Sequence, residues 1–299
     1  MEHHRIDFRA MASPCECQIW HGDEVRARAA LDAARDEVLR IEAKYSRYRD
    51  DSVVGAINRA AGGAPVRVDE ETGALLDFAA RCHAESDGRF DITSGVLRRA
   101  WNFREGVVPT ADAIAALLPL IGWDKVEWRA PGIRLPRAGM ELDLGGYGKE
   151  YAADRAAAVL AERGFRYALV NLGGDVRVLG PQADGRPWRI AIRHPRRDDA
   201  LLAEIELVDG ALATSGDYER CFERDGKRYS HMLDPRTGWP VEGPQSVSVL
   251  APLCIVAGTH ATMAMLQGDG ARAYLDATDL RYLLVDRGGG LRGHLAEQR

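Results

Sequence analysis

Apolar positions recur at two different periods along this chain. Between residues 23 and 45, Leu31, Ala34, Val38, Ile41 and Tyr45 fall three and four apart with charged residues between them, which predicts an amphipathic helix. A second helix is predicted over 70–86, with Leu75, Phe78, Ala79 and Cys82 inward and the Asp87-Gly88 turn closing it. Residues 111–118 read as a short helix stopped at Pro119, a further helix opens at Lys149-Glu150 and runs to about Arg163, and another begins near Thr259. Strand patterns occupy 9–20, 168–172, 176–179, 188–192, 203–208 and 245–250, and 125–135 reads as a hairpin broken at Pro131-Gly132. Helices and strands mix without regular alternation, so the predicted class is α+β with mixed sheets rather than a doubly wound sheet. No repeat or low-complexity linker divides residues 1–299, which predicts a single compact unit or two interleaved subdomains.

Composition adds little and excludes some partners. Apolar residues make up 46% and charged residues 28%, as in an ordinary globular protein. A net charge of -5 with no basic field argues against a nucleic-acid partner. No apolar run approaches membrane-spanning length and the N-terminus lacks a leader pattern, so a cytoplasmic location is expected. Five cysteines, with only Cys15 and Cys17 close together, favour structural thiols over a four-ligand metal site.

Three segments depart from plain structural patterning. In 213–240, Thr214-Ser215-Gly216-Asp217 fits either a β-turn or a flexible approach to phosphate. His231, just before the Asp234-Pro235 turn, is either a hydrogen-bonded structural residue or a base held on a rigid loop. In 141–154, Asp143 ends a strand that passes through glycines into a helix whose first turn holds Lys149. That arrangement is a plain strand-to-helix turn or an anion site at a helix N-terminus. In 86–103, Arg89-Phe90-Asp91 offers a cation, a ring and a carboxylate together, suited to a surface turn with a core aromatic or to a heteroaromatic ligand.

In their order these segments resemble the FAD:protein FMN transferase (ApbE-like) family: YSRYRDDSVVGAIN (45–58), DGRFDITSGVL (87–97), LDLGGYGKEYAAD (142–154), LVNLGGDV (169–176), TSGDYE (214–219) and SHMLDPRTG (230–238). The resemblance implies a cleft between two α+β subdomains that binds FAD with a divalent cation, Mg2+, against its pyrophosphate. It also implies that a Thr or Ser hydroxyl of an acceptor flavoprotein attacks the FMN-side phosphorus while AMP leaves. Carried onto this chain, Met11, Tyr48, Arg89, Phe90, Asp91, Asp143, Lys149 and the backbone of Leu233 would contact FAD, and His231 would be the base.

Two positions depart from the family pattern. Gly258 stands where the resemblance implies a metal-binding Asp, which leaves the carbonyls of Gly148 and Ala261 and the hydroxyl of Thr262 as expected ligands of a weakened magnesium site. Glu150 stands where the family usually has glycine. The competing expectations are an FAD-binding protein that stores, delivers or senses flavin without transfer, and an FAD pyrophosphatase in which water replaces the acceptor. Gly258→Asp is expected to raise magnesium affinity.

Overall fold

The first twenty residues, expected as one strand over 9–20, instead fold back on themselves: β1 (Glu2–Ala10) and β2 (Ser13–His21) pair antiparallel along their whole length. Met11 and Ala12 between them take φ of 51° and 61°, the left-handed pair whose twist suits a two-residue hairpin. A turn made of Met and Ala rather than Gly and Asn gave the sequence no break to show. The computed structural model describes residues 1–296.

After this hairpin come α1 (Glu24–Tyr45), α2 (Val53–Arg59), β3 (Val66–Arg67), α3 (Glu70–Glu85) and α4 (Ala111–Leu117). The small hairpin β4 (Glu127–Arg129) and β5 (Gly132–Arg134) leads to α5 (Gly148–Glu162). The second half holds β6 (Ala168–Leu172), β7 (Asp175–Leu179), β8 (Trp188–Arg193), β9 (Leu201–Leu207), β10 (Gly210–Gly216), β11 (Cys221–Arg224), β12 (Lys227–Ser230), β13 (Ser246–Ala251), α6 (Cys254–Leu266), α7 (Ala271–Asp276), β14 (Arg281–Val285) and β15 (Leu291–Arg292).

Eight strands form one antiparallel sheet in the order β1-β2-β6-β7-β10-β13-β14-β15. Alternation sorts its side chains to two faces. One face, with Cys15, Cys17, Val170, Ala211, Ala213, Val247 and Val249, packs on α1, α5 and α6 in the main core. The other, with Leu169, Val176, Val178, Leu212 and Leu283, is covered by the β8–β9 hairpin through Trp188, Ile190, Ile192 and Ile205. A third core gathers Val96, Leu97, Trp101 and Ile114 with Phe222 and Tyr229 from the β11–β12 hairpin. The mixed α and β architecture thus matches the sequence expectation.

The predicted helix over 23–45 is α1, and all five of its predicted inward residues are buried. In contrast, α6 begins at Cys254, well ahead of Thr259. Its N-cap, Leu253, supplies no capping side chain; Asp154 of α5 instead accepts from the backbone N–H of Cys254 (2.8 Å) and Ile255 (2.9 Å). This tertiary cap locks α5 to α6 and has no local sequence signature. Cys15 and Cys17 are buried free thiols, and burial raises the pKa of both, Cys17 to about 12, so they are inert packing residues.

Candidate active site

The site residues converge on the ends of four elements. The β6–β7 turn, Gly173-Gly174, takes φ of 64° and 100°, and a Cβ on Gly173 would overlap Ser13. The close fit brings this turn against the β1–β2 turn that carries Met11, whose backbone N–H donates to Glu42 Oε1 at 2.7 Å. Lys149 Nζ lies near Gly173 and pairs with the buried Asp175 Oδ2 at 2.8 Å. Burial opposes the lysine's charge, but Asp175 and Glu150 outweigh it and hold its pKa above the usual range. Lys149 is therefore a fixed cation beside the two hairpin tips.

A second group surrounds Asp143. Its carboxylate accepts from the N–H of Gly145 (2.9 Å) and pairs with Arg47 (3.1 Å) and Arg98 (3.2 Å). Arg47 also donates to the Gly95 carbonyl at 3.0 Å, and Glu141 pairs with Arg47 and Arg99. Tyr48 is 78% exposed, and its hydroxyl accepts from Arg98 at 2.6 Å while Arg47 lies 5.5 Å from the ring centre. Three guanidinium groups against two carboxylates leave a cationic rim, suited to an anionic ligand.

His231 directly follows β12. Its loop is rigid for physical reasons. Trp101 Nε1 donates to the Gly238 carbonyl at 2.8 Å, Gly238 N–H closes onto the Asp234 carbonyl at 2.7 Å, and Leu233 bridges to Pro240. Trp101 stacks on Phe103 (5.5 Å) and meets Trp239 edge-on (5.4 Å), so an aromatic core anchors the turn. Arg89 approaches Asp234 at 3.9 Å and joins this loop rather than a separate binding patch. The imidazole Nδ1 is buried without a partner. Burial, then the charges of Arg220 and Arg98, lower its pKa to about 4, so the ring is neutral at physiological pH. Arg98 pairs with Asp143 and its charge also acts on His231, so His231 lies toward the cationic rim.

Phe90 and Asp91, expected to touch ligand, are committed to the chain itself. Phe90 is buried against Tyr147 (6.1 Å between ring centres) and over Gly146. Asp91 Oδ1 accepts from Thr93 N–H (2.8 Å) and Oγ1 (2.6 Å), and Oδ2 from Trp123 N–H (2.9 Å). Buried and fully engaged, the pair shapes the loop behind the site. A carboxylate among hydroxyls two residues away is an Asx-type clasp, and that reading was available from Asp91-Ile92-Thr93. Thr214–Gly216, expected as a turn or a phosphate loop, lies within β10.

The α5–α6 seam holds the residues expected around a metal. Ser215 Oγ lies 2.9 Å from Thr262 Oγ1, so the Thr262 hydroxyl is positioned from the sheet. Gly258 is one helical turn before Thr262 on the same face. A Cβ at Gly258 would meet Glu150 Cγ at 2.5 Å and Oε1 at 2.6 Å. Glu150 is 7% exposed, and its Oε2 is buried with no hydrogen-bond partner. Burial, reinforced by Asp175, raises its pKa well above the carboxylate range. Among the described residues, no three His, Cys, Asp or Glu side chains are grouped to hold a metal. A hard cation here would draw on one carboxylate, hydroxyl and carbonyl oxygens, water and ligand phosphate, the donor set that magnesium favours. The orphaned oxygen, the space at Gly258 and the Thr262 hydroxyl fit such an ion. Sequence reasoning missed Glu150 because its partner in space is 108 residues away. The expected gain from Gly258→Asp meets the same contact: a side chain at position 258 requires Glu150 to move aside.

The ApbE family model matches residues 11–284. The FAD:protein FMN transferase of Vibrio cholerae is 33% identical over 270 residues, covering 88% of this chain and 80% of the relative. The protein of the same name from Treponema pallidum is 36% identical, covering 81% and 74%. Among solved structures, an ApbE protein of Thermotoga maritima superposes with a TM-score of 0.90 at 32% identity, covering 98% of this chain and 97% of that one. Flavin transferase ApbE from Vibrio cholerae does so at 0.88 and 28%, covering 99% and 97%.

Proposed function

This chain belongs to the ApbE family, and from that premise we propose that it is an FAD:protein FMN transferase whose base is His231 and whose reaction uses a divalent cation. FAD is split into AMP and an FMN group that becomes a phosphoester on a Thr or Ser hydroxyl of an acceptor flavoprotein. The observation that carries the assignment of roles is the His231 imidazole, its Nδ1 buried and unpartnered, held on a loop that Trp101 anchors. In the protein's described residues, no helix is long and apolar enough to cross a membrane.

A hydroxyl is a weak nucleophile and the pyrophosphate repels it. His231 takes the hydroxyl proton as the oxygen bonds to the FMN-side phosphorus. The bond from that phosphorus to the bridging oxygen breaks, and AMP leaves with its phosphate. Lys149, fixed by Asp175, and Arg98 counter the phosphate charge, while Tyr48, Met11 and the Leu233 backbone border the flavin nucleotide. Glu150, Thr262 and the carbonyls of Gly148 and Ala261 would hold Mg2+. When bound, that ion neutralises charge that develops on the phosphates. A glycine at 258 does not favour the binding-only alternative, because a carboxylate still occupies the seam.

The test is incubation with FAD, Mg2+ and candidate acceptor flavoproteins. AMP release with an FMN-sized mass gain on the acceptor is expected for the wild type, and neither for His231→Ala. An acceptor that gains mass equally with His231→Ala would remove His231 from the role of base.

A further inference from the structure

We propose that Glu150 supplies the carboxylate for the divalent cation, reaching from α5 into the space that Gly258 leaves open on α6. The proposal rests on the flavin-transfer reading above and assigns a ligand that neither helix reveals alone.

Three observations carry it. The Glu150 side chain fills the side-chain space of position 258, with Cγ, Oε1 and Cδ at 2.5, 2.6 and 2.9 Å from where a Cβ would stand. That position shares a helical face with Thr262, whose hydroxyl is already oriented by Ser215 at 2.9 Å. Glu150 Oε2 is buried and unpartnered, and the neighbouring cation, Lys149, is taken by Asp175 at 2.8 Å. Burying a carboxylate with an unsatisfied oxygen is costly to the fold, and a purely structural residue at this place would be apolar. A hard divalent cation satisfies such an oxygen, joined by neutral oxygen donors, water and ligand phosphate. Gly258 is then the complement of Glu150: the glycine provides the room, and the longer side chain delivers the charge across the seam.

The two positions should therefore exchange. The full chain with bound FAD is titrated with Mn2+, the free ion is read by electron paramagnetic resonance, and Mg2+ is added as competitor. Wild type is expected to bind one Mn2+ that Mg2+ displaces. Glu150→Gln, which keeps the shape and removes the charge, is expected to weaken Mn2+ binding by at least about tenfold. The double variant Glu150→Gly with Gly258→Asp, which moves the carboxylate to α6, is expected to recover most of it. Far-UV circular dichroism melts confirm that each variant is folded. Glu150→Gln binding Mn2+ as tightly as wild type, a folded double variant that binds none, or a wild type that binds none overturns the proposal. AMP release measured in parallel separates this from the transfer reading. Glu150-dependent Mn2+ binding without any AMP release leaves the ligand assignment standing and removes the transfer reading.

Discussion

Asp91 and Glu150 are two equally buried carboxylates with opposite surroundings. Asp91 accepts three hydrogen bonds from Thr93 and Trp123 and clasps a loop. Glu150 Oε2 accepts none, at the contact of α5 with α6, where Asp154 already caps the backbone of Cys254 and Ile255. Burial alone therefore does not distinguish a structural carboxylate from a functional one. The hydrogen-bond account does, because a fold tolerates an unsatisfied buried oxygen mainly where something else will meet it.

The sharpest way to break this contrast is at His231, whose Nδ1 is buried and unpartnered like Glu150 Oε2. His231→Ala is expected to lower transfer by about two to four powers of ten while FAD affinity stays within a few fold. Equal loss of both, measured by AMP release and flavin fluorescence titration, would make His231 structural like Asp91.

Asp91→Ala is expected to cost about 2–4 kcal/mol of stability, since it orphans the Trp123 and Thr93 donors. Glu150→Gln without metal should change stability by less than about 1 kcal/mol, because no partner is lost. Chemical denaturation of both checks the contrast, and similar losses would erase it.

Gly258→Asp alone is expected to destabilise by about 1–3 kcal/mol through overpacking against Glu150, a loss that Glu150→Gly relieves in the double variant. Additive effects of the two substitutions would mean that the side chains do not meet.

A further expected effect is in pH. The folded pKa of His231, about 4, lies below its ordinary 6.5, so the base form persists to low pH. The acid limb of kcat/KM due to this group should then fall below about pH 5 rather than near 6.5. In the same window, from 6.5 down to about 4, stability should decline, because the unfolded chain takes up the proton first. An acid limb at 6.5 in the free enzyme would contradict the buried, cation-flanked setting of the ring.

The helices were legible because their signals are local: α1 and α3 lie where their inward residues put them, and α5 opens beside Lys149-Glu150 as its start predicts. The Met11-Ala12 turn and the start of α6 were not, since the first uses no turn-forming residue and the second is capped from another helix. At the site, His231, Asp143 and Lys149 were visible as polar residues at turns and helix starts. Phe90 and Asp91 were visible too, but their role depends on Tyr147 and Trp123, which are distant in sequence. Gly258 and Glu150 each stood out singly, and only their contact in space joins them.

The central claim is that this chain moves FMN from FAD onto a protein hydroxyl. The most direct measurement is intact-mass spectrometry of an acceptor flavoprotein after incubation with FAD and Mg2+, with AMP quantified in the same tube. One FMN phosphoester on a Thr or Ser per AMP released is the result expected. Free FMN with AMP and an unmodified acceptor would instead identify hydrolysis, and no AMP at all would leave an FAD-binding protein without transfer.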